Sequence, residues 1–172
     1  MPTIYVVGCD HAVQSADPVP FLLDSAAVNV QRDHLCRTVE RMLSDKKVEL
    51  VAEEWGRPSE SFAQVLSRKY RIRYVDINTS FEDLDALKIP RDYINPIKYT
   101  KEQIEGWLQK RERFMLDKIH KSRETAKMVL VICGLDHLEP LAEQLVDRER
   151  VIPVDYRNED WYRGDVFFPV SP

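Results

Sequence analysis

The sequence predicts an α/β layered domain with a mostly parallel central sheet flanked by helices, and three observations predict it. Short β-branched or aliphatic runs recur along the chain, amphipathic helical patterns lie between them, and 172 residues suit one domain with a real core. The runs are TIYVV at 3–7, VELVA at 48–52, IRYVDI at 72–77, MVLVIC at 128–133 and VIPVD at 151–155. A strand covered on one face alone would alternate apolar and polar residues. Near-continuous apolar runs therefore read as strands buried on both faces.

The helices follow in order. DHLCRTVERML carries Leu35, Val39 and Leu43 four apart, and SESFAQVLSRKY sets Phe62, Val65 and Leu66 on one side behind a capping Ser59. Residues 78–99 hold Pro90 and Pro96 with little periodicity, and so predict a long loop or lid, a length often tied to function. Thr100 and Gln103 form a capping box, after which IEGWLQKRERFMLDKI predicts a helix to about Lys121. LEPLAEQLVDR repeats the helical pattern with Leu138, Leu141, Ala142 and Leu145. The aromatic tail from Arg157 receives no assignment. Residues 1–172 are thus expected to form a single α/β domain.

Composition narrows the function classes. An apolar fraction of 44%, a charged fraction of 31% and a net charge of −4 describe a soluble globular chain without the basic footprint of nucleic-acid binders. No apolar stretch reaches the roughly 20 residues that span a bilayer, and MPTIYVVGCDH lacks the features of a signal peptide. A cytoplasmic protein without a membrane partner is expected, and a homo-oligomer stays open. Cys9, Cys36 and Cys133 show no CxxC spacing and predict reduced thiols.

Two apolar runs lead into the same short motif: VVGCDH at 6–11 and VICGLDH at 131–137. In open α/β sheets, ligands gather beyond the carboxyl ends of parallel strands. If the strands at 3–7, 48–52 and 128–133 are parallel, His11, His137 and one of Glu53 or Glu54 meet at one edge. Gly8 and Gly134 would let the chain turn sharply there. Consecutive acids at a strand end point to opposite sides, so one of Glu53 and Glu54 faces the site. Asp10 and Asp136 either orient neighbouring groups or cap the following helices. On the long helix, Ile104, Trp107, Leu108, Phe114, Met115 and Ile119 share one face with Arg111 in its middle, while Arg113 points away. A guanidinium there needs a carboxylate or an anionic ligand, unless its stem lies along the core and its head reaches water.

Two imidazoles and a carboxylate are a frequent ligand set for a divalent metal with open positions, which lowers the pKa of a bound water. Without metal, one histidine could serve as general base, with Arg111 stabilising a developing oxyanion. The candidate catalytic residues are therefore His11, Glu53, Glu54, Arg111 and His137. The candidate ligands of a divalent metal, manganese, zinc or cobalt, are His11, Glu53, Glu54 and His137. His34 and His120 lie on polar parts of helices and are left out.

GCDH at 8–11, EE at 53–54, RERFM at 111–115 and GLDH at 134–137, in this order, resemble the motifs of the TraB/PrgY, ChaN and Tiki superfamily, the erythromycin esterase/ChaN-like fold. The resemblance implies an α/β domain with a site at the sheet edge. Some members are proposed metal-dependent peptidases, others esterases using histidine chemistry, and one branch binds haem. A small cytoplasmic member without a membrane segment is the closer match. The expectation is a hydrolase, divalent-metal assisted, acting on an ester, peptide or related anionic small substrate. Its rivals are a non-catalytic module for haem or another small anion, and a structural or regulatory domain with a decayed site.

Overall fold

The computed structural model describes residues 2–11, 13–16, 25–45, 47–146 and 150–154. The elements run β1 (Thr3–Cys9), α1 (Ser25–Asp45), β2 (Leu50–Glu53), α2 (Phe62–Tyr70), β3 (Arg73–Asp76), α3 (Phe81–Ala86), α4 (Lys101–Arg123), β4 (Met128–Gly134), α5 (Leu135–Val146) and β5 (Arg150–Val154). All five strands are parallel, in the order β3-β2-β4-β1-β5. The strand expected at 151–155 is β5, with Asp155 outside the described residues, as is the tail beyond it.

Strand pleating divides the core into two layers. Val7, Val51, Leu130 and Ile132 point to one face, where they pack with Val28, Leu35 and Val39 of α1 and Phe62 and Leu66 of α2. Ile4, Val6, Leu50, Ala52, Val129 and Val131 point to the other, against Met115 and Ile119 of α4 and Leu138, Leu141 and Leu145 of α5. Each fully buried aliphatic side chain of this kind contributes about 1.5–3 kcal/mol through its removal from water. No described helix is long and apolar enough to cross a membrane.

The order of the strands fixes where a ligand can sit. From β1 the chain crosses by α1 on the first face to β2, whereas from β4 it crosses by α5 on the second face to β5. Neighbouring strands β1 and β4 therefore send their connections to opposite faces, which opens a crevice beyond their carboxyl ends. His11 follows β1, and His137 follows β4.

Three local expectations change. The N-cap of α2 is Ser61, whose hydroxyl accepts from the Gln64 N–H while Gln64 returns a bond to the Ser61 N–H, so the capping box lies two residues beyond Ser59. Val65 is exposed, although Phe62 and Leu66 are buried. The long loop expected at 78–99 includes a short helix: it contains α3, capped by Ser80 and Asp83, and anchors on α4 where Leu84, Ile89 and Tyr93 pack against Trp107 and Leu108. The Thr100–Gln103 box starts α4 as expected.

Candidate functional site

The two Gly-x-Asp-His copies arrive one residue out of step. In the β1–β4 ladder Gly8 pairs with Cys133, and Cys9 pairs with Gly134. The second copy passes straight into α5, which places His137 in its first turn, while the first continues through Cys9 before turning at His11. Neither glycine has a left-handed backbone, so the turns that follow the strands do not draw on glycine's conformational freedom. Their service is room. A Cβ on Gly8 would lie 2.9 Å from Leu138 Cβ, so glycine lets α5 sit directly on β1. A Cβ on Gly134 would lie 3.2 Å from His11 Nε2 and 3.4 Å from Glu54 Oε2. Asp136 falls in the first turn of α5, where a carboxylate complements the helix dipole.

The two glutamates separate by pleat parity. Glu53 ends β2 toward the α2 layer, fully buried, and accepts from Gln14 Nε2 at 3.2 Å, Tyr74 Oη at 2.9 Å and the Ser61 hydroxyl. Burial pushes its pKa up to about 7, against the opposing pull of the Ser61, Tyr74 and Gln14 hydrogen bonds. It does not line the cleft. Glu54, the next residue, faces α4 and does. Of the two acids expected to serve, Glu54 therefore reaches the site directly, and Glu53 stands behind it.

Arg111 lies where the helical wheel places it, and its guanidinium is held on several sides. Nη2 donates to Glu54 Oε1 at 2.7 Å and to Asn78 Oδ1 at 3.2 Å, Nε donates to Thr79 Oγ1 at 3.3 Å, and Nη1 donates to the Tyr93 hydroxyl. With these donors committed, Arg111 serves as the counter-charge of Glu54 more than as a clamp for a ligand. Burial is the largest influence on Glu54 and would raise its pKa. Electrostatic attraction from the side of His137, His11 and Arg111, with the Gly134 N–H that donates to Oε2 at 2.9 Å, nonetheless holds it below its ordinary value.

Both histidines turn their Nε2 atoms to the same carboxylate oxygen. His11 Nε2 lies 3.8 Å and His137 Nε2 3.7 Å from Glu54 Oε1. Their Nδ1 atoms face outward, His11 to Gln14 Oε1 at 2.6 Å and His137 to Glu112 Oε1 at 3.2 Å. The side chain of His11 is 37% exposed and that of His137 5%, so one ring is open to solvent and the other enclosed. Among the described residues, no group of three or more His, Cys, Asp and Glu side chains already has the spacing of a metal cage.

These groups line a cleft of about 510 Å³, with Asp10, Arg57 and Tyr93 at its walls. Arg57 is exposed, and its guanidinium lies 5.2 Å from the Trp55 ring centroid, a cation–π contact. A second groove of about 550 Å³ adjoins it between α4 and α5, sharing Leu108 and Asp136. Cys9 borders the cleft too, but burial above all, then Cys133 and nearby carboxylates, raise its thiol well above the ordinary range. A thiol so held is no nucleophile.

Gln14 and Glu112 belong to the site and were not expected in it. Glu112 stands three, four and seven residues before Met115, Leu116 and Ile119, all buried, so its own place on the inward face was open to reading. Compared with protein-family models, curated proteins and solved structures, the chain gives no match.

Proposed function

We propose that the cleft hydrolyses an ester, a peptide or a related anionic small substrate, with His11 and His137 managing the protons of the attacking water. The observation that carries this is the convergence of two imidazole Nε2 atoms, 3.8 and 3.7 Å away, on one oxygen of a buried carboxylate. Such a constellation seldom persists for stability alone, because it gathers polar groups where apolar packing would serve. Arg57 at the mouth is the cation available to an anionic part of the substrate.

The donors suit a divalent cation in kind: His11, His137 and Glu54 would hold manganese, zinc or cobalt. When bound, such an ion supplies a water that ionises near neutral pH. The chain's own residues do the remainder. Arg111 keeps Glu54 ionised, Glu112 and Gln14 orient the rings, and Gly134 leaves space beside His11. Kinship with the TraB/PrgY, ChaN and Tiki superfamily is part of the same proposal, supported by GCDH, Glu54, Arg111 and GLDH lying around one cleft.

Metal analysis of untagged protein, followed by turnover of ester and peptide panels with and without manganese, zinc or cobalt, tests this. Activity that falls in His11→Ala and in His137→Ala is the expected result. No turnover and no metal retention would remove the hydrolase, and a Soret band on haem titration that both substitutions abolish would assign the histidines to haem instead.

A further inference from the structure

Gln14 is completely buried, an unusual place for an amide unless each polar atom is satisfied. Its side-chain nitrogen donates to Glu53 Oε1 at 3.2 Å and to the Glu54 carbonyl at 3.4 Å. Its Oε1 is left facing His11 Nδ1 at 2.6 Å. Turning the amide over would set oxygen against a carboxylate and a carbonyl, so these contacts select one orientation. The backbone is pinned as well, since the Gln14 carbonyl accepts from the Phe62 N–H at 2.9 Å. An amide oxygen can only accept, so the proton between the two side chains sits on His11 Nδ1.

We propose that Gln14 is a positioning residue that fixes His11 in the Nδ1–H tautomer, so that a lone pair on Nε2 is what the cleft receives. Without that constraint the proton is free to sit on Nε2, drawn by the charge of Glu54 Oε1 3.8 Å away, which would take the lone pair from the cleft. Glu112 imposes the same choice on His137 with a carboxylate oxygen at 3.2 Å from Nδ1. Two lone pairs and a carboxylate oxygen then surround one spot, an environment that selects water protons or a cation. The importance of Gln14 for turnover rests on the hydrolytic reading above; the tautomer of the ring does not.

The test is ¹⁵N NMR of the histidine side chains in the whole chain, in mildly alkaline buffer, with the His11 signals identified by their loss in His11→Ala. The expected wild-type pattern has Nδ1 protonated and Nε2 bare. A neutral ring with its proton on Nε2 and Nδ1 bare overturns the proposal. Gln14→Met, which keeps the length and removes the amide, is expected to shift the ring toward Nε2–H. Gln14→Glu, which keeps the accepting oxygen, is expected to retain Nδ1–H. An unchanged ring in Gln14→Met, or a changed one in Gln14→Glu, overturns it, and should either variant fail to fold, the wild-type spectrum alone still decides. In an active enzyme Gln14→Met should also lower turnover or metal affinity about 10- to 100-fold, the usual effect of removing such a partner. An inactive wild type with the Nδ1–H pattern intact would remove the hydrolase and leave this inference standing.

Discussion

Arg111 and Glu54 form an ion pair beneath the cleft, Nη2 to Oε1 at 2.7 Å, with side chains only 11% and 2% exposed. Removing one member of a buried pair costs about 3–5 kcal/mol, because the other charge is left without compensation. Arg111→Met should therefore lose about that much in urea unfolding. Arg111→Met combined with Glu54→Gln should recover part of it. A double variant no more stable than Arg111→Met would show that the packing of the guanidinium, not its charge, is what matters.

Glu53 and Glu54 bend the pH profile of stability in opposite directions. The folded pKa of Glu53 is raised from 4.5 to about 7. Between those values the unfolded chain has lost its proton while the folded chain keeps it, so stability falls as pH rises through this window. Glu54 has a lowered folded pKa, so its contribution is present above the ordinary 4.5 and is lost as pH falls through its folded value. Unfolding free energies across acidic to neutral pH should become flatter between 4.5 and 7 in Glu53→Gln. Glu54→Gln should lose its dependence only on the acidic side.

The two histidines should separate in stability although the proposed reaction uses both. His137→Ala removes the partner of buried Glu112 and should cost about 1–3 kcal/mol, the price of a polar group left unpaired. His11 is partly open, so water can replace it beside Gln14 and the loss should stay below about 1 kcal/mol. If either ring acts in proton transfer, each variant should lose about 10²- to 10⁴-fold in turnover. Thermal melts and steady-state kinetics on the same samples check both halves.

Alanine at the two motif glycines should give a similar contrast. Gly8→Ala forces a Cβ to 2.9 Å from Leu138 Cβ in the core, an overpacking that costs about 1–3 kcal/mol. Gly134→Ala meets His11 Nε2 and Glu54 Oε2 at 3.2 and 3.4 Å, so it should displace the His11 ring more than it weakens the fold. Equal losses of melting temperature in the two variants would refute this division.

The three central strands were legible because parallel strands covered on both faces read as largely apolar runs, whereas the edge strands β3 and β5 are only partly buried and came from mixed runs. All five lie within a few residues of the expected positions. The meeting of His11, His137 and a glutamate followed from the carboxyl-end rule, and Arg111 from the helical wheel of α4. Which glutamate was not legible: pleat parity says only that Glu53 and Glu54 diverge, and the choice waits on which layer holds α4. The Ser61–Gln64 box and the Ser80–Asp83 box were written in the sequence as plainly as Thr100–Gln103. Gln14 carried no such mark, because its role depends on three partners, of which His11 alone is near in sequence.

His11 and His137 also answer to different parts of the molecule. His137 is built into the start of a helix and braced by Glu112 from α4, whereas His11 rides on a turn outside the sheet. A change in the packing of α4 would therefore reach His137 through Glu112, while His11 would keep its contact with the buried amide of Gln14.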